Sequence, residues 1–273
     1  MSMSEPAVSL QRSAYLKKRK QTKTAIITLR IGILVVLFVG WELAARLGAI
    51  DAFIVSSPSR MWNTFLNLYR SGDLWLHVST SVMETVVGFL LGTLTGTVIA
   101  VLLWWSEFLS RVLDPYLVVL NALPKTALGP IFIVWIGAGP SSIIAMTLAI
   151  SLIVTILDMH NGFLDTDPEK IRLMRTLRAS RKQILLKLVL PANFTTMINA
   201  LKVNVGLSWV GVIMGEFLVS KAGLGYLIVY GSQVFKMDLV MTTVLILAAA
   251  AALMYQCILW LEKAMKKYMG VTV

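Results

Sequence analysis

The stretch TSVMETVVGFLLGTLTGTVIAVLLW, residues 80–104, carries one charged side chain, Glu84, among apolar, small and hydroxyl residues. A hydrocarbon core about 30 Å thick is crossed by about 20 helical residues at 1.5 Å each, so this run reads as a membrane-spanning helix. Working outward from it, comparable runs occur at roughly 24–46, 115–137, 141–158, 197–219 and 239–261. The composition agrees. Hydrophobic residues make up 57% of the 273-residue chain and charged residues 14%, against about a quarter charged in a soluble domain. Mean hydropathy is +0.78, which excludes a disordered chain. The fold class expected is an all-α, polytopic membrane protein with six transmembrane helices.

The formal net charge of +11 would suggest a nucleic-acid partner in a soluble protein. In a chain of spans it reports topology, because basic residues collect on the cytoplasmic side; no nucleic-acid partner is expected. Arg12, Lys17, Lys18, Arg19, Lys20 and Lys23 crowd the tail 1–23, and Lys263, Lys266 and Lys267 lie in the tail 263–273. Lys170, Arg172, Arg175, Arg178, Arg181, Lys182 and Lys187 fill the loop at about 159–196. The alternate loops hold only Arg60, Arg70, Lys221 and Lys236, with Arg46 at a boundary. Both tails and the 159–196 loop are therefore expected in the cytoplasm, with 24–262 as the membrane domain. Six spans return the chain to its starting side, so count and charge agree. Cys257, the single cysteine, lies in an apolar run and is expected to be a small buried hydrophobe.

Within the spans, Gly88, Gly92 and Gly96 form a stripe that admits a close neighbouring helix, inside the chain or at a subunit contact. The third span contains Pro115, Pro124 and Pro130 and is expected to be kinked or broken, its freed carbonyls facing protein or water. Asn121 and Lys125 lie between those prolines. A lysine there either lines a pathway or pairs and snorkels. Glu84 and Glu216 could pair with Lys125 or meet a solute. Glu216 is the better pathway candidate, being surrounded by Gly206, Gly211 and Gly215, with Asn204 and Ser208 on the same helix.

The 159–196 loop carries helix signals of its own. Asp167-Pro168-Glu169 reads as N-cap, first-position proline and first-turn acid. Ile171, Met174 and Leu177 follow as one apolar stripe. Ser180 to Gln183 fits a capping box opening a second short helix, which Leu190-Pro191 is expected to end. A pair of short helices with an apolar face and a basic rim suits either a groove in a soluble partner or the membrane interface.

The segment from Arg172 through Ser180 to Val189-Leu190-Pro191 resembles the coupling loop of bacterial ABC importer permeases. Ser57-Pro58-Ser59-Arg60, Asn121-Ala-Leu-Pro-Lys125 with Trp135-Ile-Gly137, and Gly223-Leu-Gly-Tyr226 resemble further blocks of the nitrate, taurine and aliphatic-sulfonate members, in the same order. The likeness covers about residues 40–262. It implies a type I importer permease fold in the bacterial inner membrane and a cytoplasmic coupling loop. There Ile171, Arg172, Leu173, Met174, Arg175, Thr176, Leu177, Arg178, Ala179 and Ser180 would meet an ATPase. Two departures stand out. The family's Glu-Ala-Ala falls on Arg172, Leu173 and Met174, and its glycine falls on Arg178. If the turn needs a positive φ, arginine there costs about 1–2 kcal/mol relative to glycine; otherwise the turn is right-handed.

The resemblance further implies partners: an ATPase dimer that uses ATP and Mg, an external solute-binding protein, and a second permease subunit, by default an identical copy. The chain has no Gly-x-x-x-x-Gly-Lys-[Ser/Thr] loop to cradle phosphates, so no catalytic residue and no bound cofactor are expected in it. Rival readings are a stand-alone transporter or channel, and a membrane enzyme using Asp158, His160, Asp165 and Asp167. The latter spacing matches no standard metal site, and Asp167 is accounted for as a cap. Lys125 favours an anionic solute such as a sulfonate, nitrate or bicarbonate, and the resemblance leaves vitamin precursors such as pyrimidines open.

Overall fold

A computed structural model describes residues 10–268, with side chains from 15 to 267. Residues 1–9, the Arg12 side chain and residues 269–273 of the expected tails lie outside the described residues. The chain forms two compact units, 1–63 and 64–273.

In the first unit, α1 (Leu10–Arg46) runs through the basic stretch 17–23, so that part of the expected tail continues the span as helix. Its end is braced. Glu42 pairs with Arg46 at 2.7 Å and accepts hydrogen bonds from the Ser59 backbone at 3.0 Å and its hydroxyl at 2.9 Å. The carboxylate thereby satisfies an orphan N–H in the first turn of α3 (Pro58–Ser71). Arg60 donates to the Ala52 carbonyl at 2.9 Å, in the short α2 (Ala52–Val55). The Ser57–Arg60 motif is thus a corner between helices.

The second unit is built on α4 (Asp73–Trp105), α7 (Pro140–Leu164) and α11 (Phe194–Val219). All three, with α1 and α13 (Met237–Tyr268), are long and apolar enough to cross a membrane. The candidate for the sixth span is the bent pair α5 (Glu107–Ala122) and Lys125–Ile136, whose axes differ by 87°. The second of these comprises a 3₁₀ turn, Lys125–Leu128, and α6 (Gly129–Ile136). The break comes where it must. Leu123 precedes Pro124, and its backbone is extended at φ −65°, ψ 139°, because the proline ring excludes the helical region for the residue before it. Pro115 is carried inside α5.

The glycine stripe of α4 packs internally. A Cβ built on Gly88 would lie 2.6 Å from Thr147 Cγ2, and one on Gly96 would lie 2.8 Å from Thr155 Cγ2. Along the same stripe of α7, a Cβ on Gly215 of α11 would lie 3.0 Å from the Ile143 backbone. α7 thus packs against two glycine-bearing helices, with the Thr147 and Thr155 hydroxyls donating to carbonyls four residues back in their own helix. α12 (Leu224–Gln233) and α13 complete the unit, and Lys202 on α11 pairs with Glu262 on α13 at 2.8 Å. Cys257 departs from expectation: it lies on an exposed face of α13. An apolar run on a span can meet acyl chains, so apolarity there does not require burial in protein.

Candidate functional site

Between α7 and α11 the loop folds as predicted at its start. The Asp167 side chain accepts from the Glu169 N–H at 2.9 Å and opens α8 (Pro168–Thr176). The helix ends in a Schellman motif: Arg178 N–H donates to the Arg175 carbonyl at 2.9 Å and Ala179 N–H to the Met174 carbonyl at 3.0 Å. Arg178 occupies the left-handed position at φ +57°. The turn therefore keeps the geometry that glycine favours, although arginine fills it. The capping box forms too, with Gln183 N–H to Ser180 Oγ at 3.3 Å and Ser180 N–H to Gln183 Oε1 at 2.8 Å. It opens α9 (Arg181–Ile184), which runs on through a π turn (Leu185–Val189) into α10 (Leu190–Ala192).

The run ends at Ala192, one residue past Pro191 and so next to the expected stop. The stripe Ile171, Met174, Leu177 is divided. Ile171, Met174 and Ala179 pack onto buried Ala100, Met159, Phe163 and Ile184, while Leu173 and Leu177 stand 60% and 70% exposed. The inner side of α8 is glue to the helix bundle. Its outer side presents Arg172, Leu173, Thr176, Leu177 and Arg178, with Ser180 exposed beside them, while exposed Arg175 turns toward the ends of α4 and α5.

The loop is pinned at its base. Buried Asn193 donates to Thr166 Oγ1 at 2.7 Å and to the Val189 carbonyl at 2.9 Å, tying the exit of α7 to the entry of α11. Gly162 permits that approach, since a Cβ there would meet Thr196 Cγ2 at 2.6 Å. Arg181 reaches back to the Trp105 carbonyl at 2.7 Å, at the end of α4.

A second polar knot lies near the other ends of α4 and α11. Glu216, 1% exposed, accepts from Ser81 Oγ and from the Gly225 N–H, each at 2.5 Å. Leu224 N–H donates to Ser81 Oγ at 2.7 Å and Gly223 N–H to His77 Nδ1 at 2.9 Å. A buried carboxylate so placed caps the first turn of α12. The Gly223-Leu-Gly225 motif leaves it room: a Cβ on Gly225 would lie 2.8 Å from Glu216 Cβ, and Gly223 stands at φ +114°.

The family of binding-protein-dependent transport system inner membrane components matches residues 88–269. The chain belongs to that family. An ABC transporter permease protein of Haemophilus influenzae is 32% identical over 83% of this permease and 91% of its own length. The taurine transport system permease protein TauC of Escherichia coli is 23% identical, covering 84% and 85%. Among solved structures, an inward-facing MetNI methionine ABC transporter chain superposes with a TM-score of 0.61 at 20% identity, over 69% of this permease and 94% of that chain. The fold is thus that of a type I importer permease, and the chain is a membrane-embedded transport subunit of an ABC importer.

The pathway candidates fall into two groups in the permease. Lys125 Nζ donates to the Asn121 carbonyl at 3.0 Å and to Asn121 Oδ1 at 3.1 Å, at the break of the third span. It has not paired with Glu84 or Glu216. Asn204, Ser208 and Glu216 are buried, with the Asn204 amide donating to Thr93 Oγ1 at 2.6 Å. The structure does not bring this group together with Lys125. The Lys202–Glu262 pair and the Arg181 tether escaped the sequence reading. Lys202 sits inside a predicted span and could have been flagged as an intramembrane charge; no local signal marks a contact between Arg181 and the distant Trp105.

Proposed function

We propose that two copies of this permease form the translocation pathway for a small anionic solute, delivered by an external binding protein and driven by an ATPase dimer that consumes ATP with Mg. The 164–193 loop and both tails face the cytoplasm, following the concentration of Lys and Arg there. One observation carries the coupling assignment: α8 is fixed to the bundle through Ile171 and Met174 while turning Leu173 and Leu177 outward among arginines. A helix fixed on one side and apolar on the other can transmit a pull from a groove in a partner to the spans. Leu173, Leu177, Arg172 and Thr176 make the docking contact; Ile171, Met174 and Ala179 transmit it.

The solute contact falls to Asn121 and Lys125. The ammonium has three donors and uses two on Asn121, which leaves one for an anion. A contact to an anionic group is in keeping with the taurine named for one relative, a zwitterion that carries a sulfonate. Asn204, through Thr93, and Glu216, through Ser81, hold the helices that frame this pathway, with Ser208 buried between them on α11. The test is uptake in vesicles with and without a co-expressed ATPase. Leu173→Glu and Leu177→Glu are expected to abolish ATP-driven uptake while inserting at wild-type levels. Normal uptake by both variants overturns the docking assignment, and uptake without any ATPase overturns the dependence on one.

A further inference from the structure

Behind α8 lies a cavity of about 250 Å³ that neither docking nor solute transport uses. Its walls come from the ends of three helices at one membrane face: Trp104 and Trp105 close α4, Ser110 belongs to α5, and Leu164 closes α7. Arg175 of α8 and Arg181 of α9 complete it. We propose that this cavity binds the phosphate of an anionic phospholipid, and that the lipid is a structural part of the loop's mounting.

Four observations carry this. The Arg175 guanidinium has no hydrogen-bond or ion-pair partner among the described residues. Arg181 shows one tie, from Nη1 to the Trp105 carbonyl, and a guanidinium has five N–H donors. The one acid in the wall, Glu107, is already paired with Arg111 at 2.6 Å, so the cavity keeps a net positive charge. Finally, the wall itself carries exposed apolar surface, with Leu164 59% and Trp105 41% exposed. That surface matches acyl chains descending from a headgroup. Two planar guanidiniums suit a phosphate, and tryptophans at span ends sit at headgroup level.

Free inorganic phosphate offers the same anion without the chains, so the experiment compares both sources. The purified full-length permease in detergent is titrated with short-chain phosphatidylglycerol, with phosphatidylcholine and with inorganic phosphate, and lipid retention is read by native mass spectrometry. Retention of phosphatidylglycerol, with little of the zwitterionic lipid, is expected. Arg175→Gln should weaken it about tenfold or more, the loss of a charge-assisted hydrogen bond. Arg175→Lys, which keeps the charge but not the fork, should recover part of it. Exchange of the Ala179 amide, measured alongside, separates a lost lipid from a misfolded loop, since that amide is bonded within the turn. Undiminished lipid binding by Arg175→Gln and Arg181→Gln overturns the proposal. So does equal retention of the two lipids, or protection by inorganic phosphate with none by phosphatidylglycerol.

Discussion

Replacing Arg178 by glycine should tighten the turn that joins α8 to α9. The residue sits at φ +57°, and its exposed side chain has no hydrogen bond or ion pair among the described residues whose loss would offset the gain. A non-glycine residue in the left-handed region costs about 1–2 kcal/mol. Glycine removes that strain but has a more disordered unfolded state, worth about 0.4–1 kcal/mol against it. The net gain is about 0.5–1 kcal/mol, felt locally. The amides that report it are Arg178 N–H and Ala179 N–H, which close the Schellman turn on Arg175 and Met174. In hydrogen exchange of the intact permease, a gain of that size slows their exchange about two- to fivefold, because each 1.4 kcal/mol is a factor of ten. Arg178→Val should do the reverse, since a β-branched side chain tolerates this region least. Faster exchange in Arg178→Gly, or unchanged exchange in Arg178→Val, would refute the assignment of strain to this residue.

Other perturbations separate packing from contact. Gly225→Ala should lower thermal stability by about 1–3 kcal/mol, because its methyl would meet Glu216 Cβ at 2.8 Å; unchanged melting in detergent would count against the Glu216 cap. Asn193→Ala removes both ties at the loop base, leaves Thr166 short of a partner and costs about 1–3 kcal/mol. Limited proteolysis between 164 and 193 should accelerate in that variant while α4 stays protected. Met174→Glu should open the loop in the same assay because Met174 packs inward, whereas Leu177→Glu should not. Lys125→Ala should raise the KM for an anionic solute about tenfold or more with little loss of expression; wild-type uptake would remove Lys125 from the pathway.

Features set by runs of residue type are legible in the sequence, and features set by contact between distant segments are not. The spans, the break before Pro124, the Asp167 cap and the Ser180–Gln183 box each follow from local chemistry, and each is present. The orientation of the α8 stripe was not legible. Three-residue spacing places Ile171, Met174 and Leu177 near one face, but Leu177 falls where the helix is already turning out. Lys125 and Glu216 looked like partners by charge alone. The break at Leu123–Pro124 turns Lys125 back onto Asn121, and Glu216 goes to the backbone of α12. Cys257 shows the same limit, since apolarity in a membrane chain does not say whether protein or lipid covers a residue.

The packing of α7 against α4 and α11 governs how the subunit can move. With threonine methyls and serine hydroxyls seated against bare glycine backbone, the three helices have no radial slack, and a slip of a fraction of a turn would drive side chains into main chain. Backbone contact of this kind opposes sliding of one helix past another and favours motions that carry the trio as one lever, with the elbow at residues 122–125 as a place where the third span can bend.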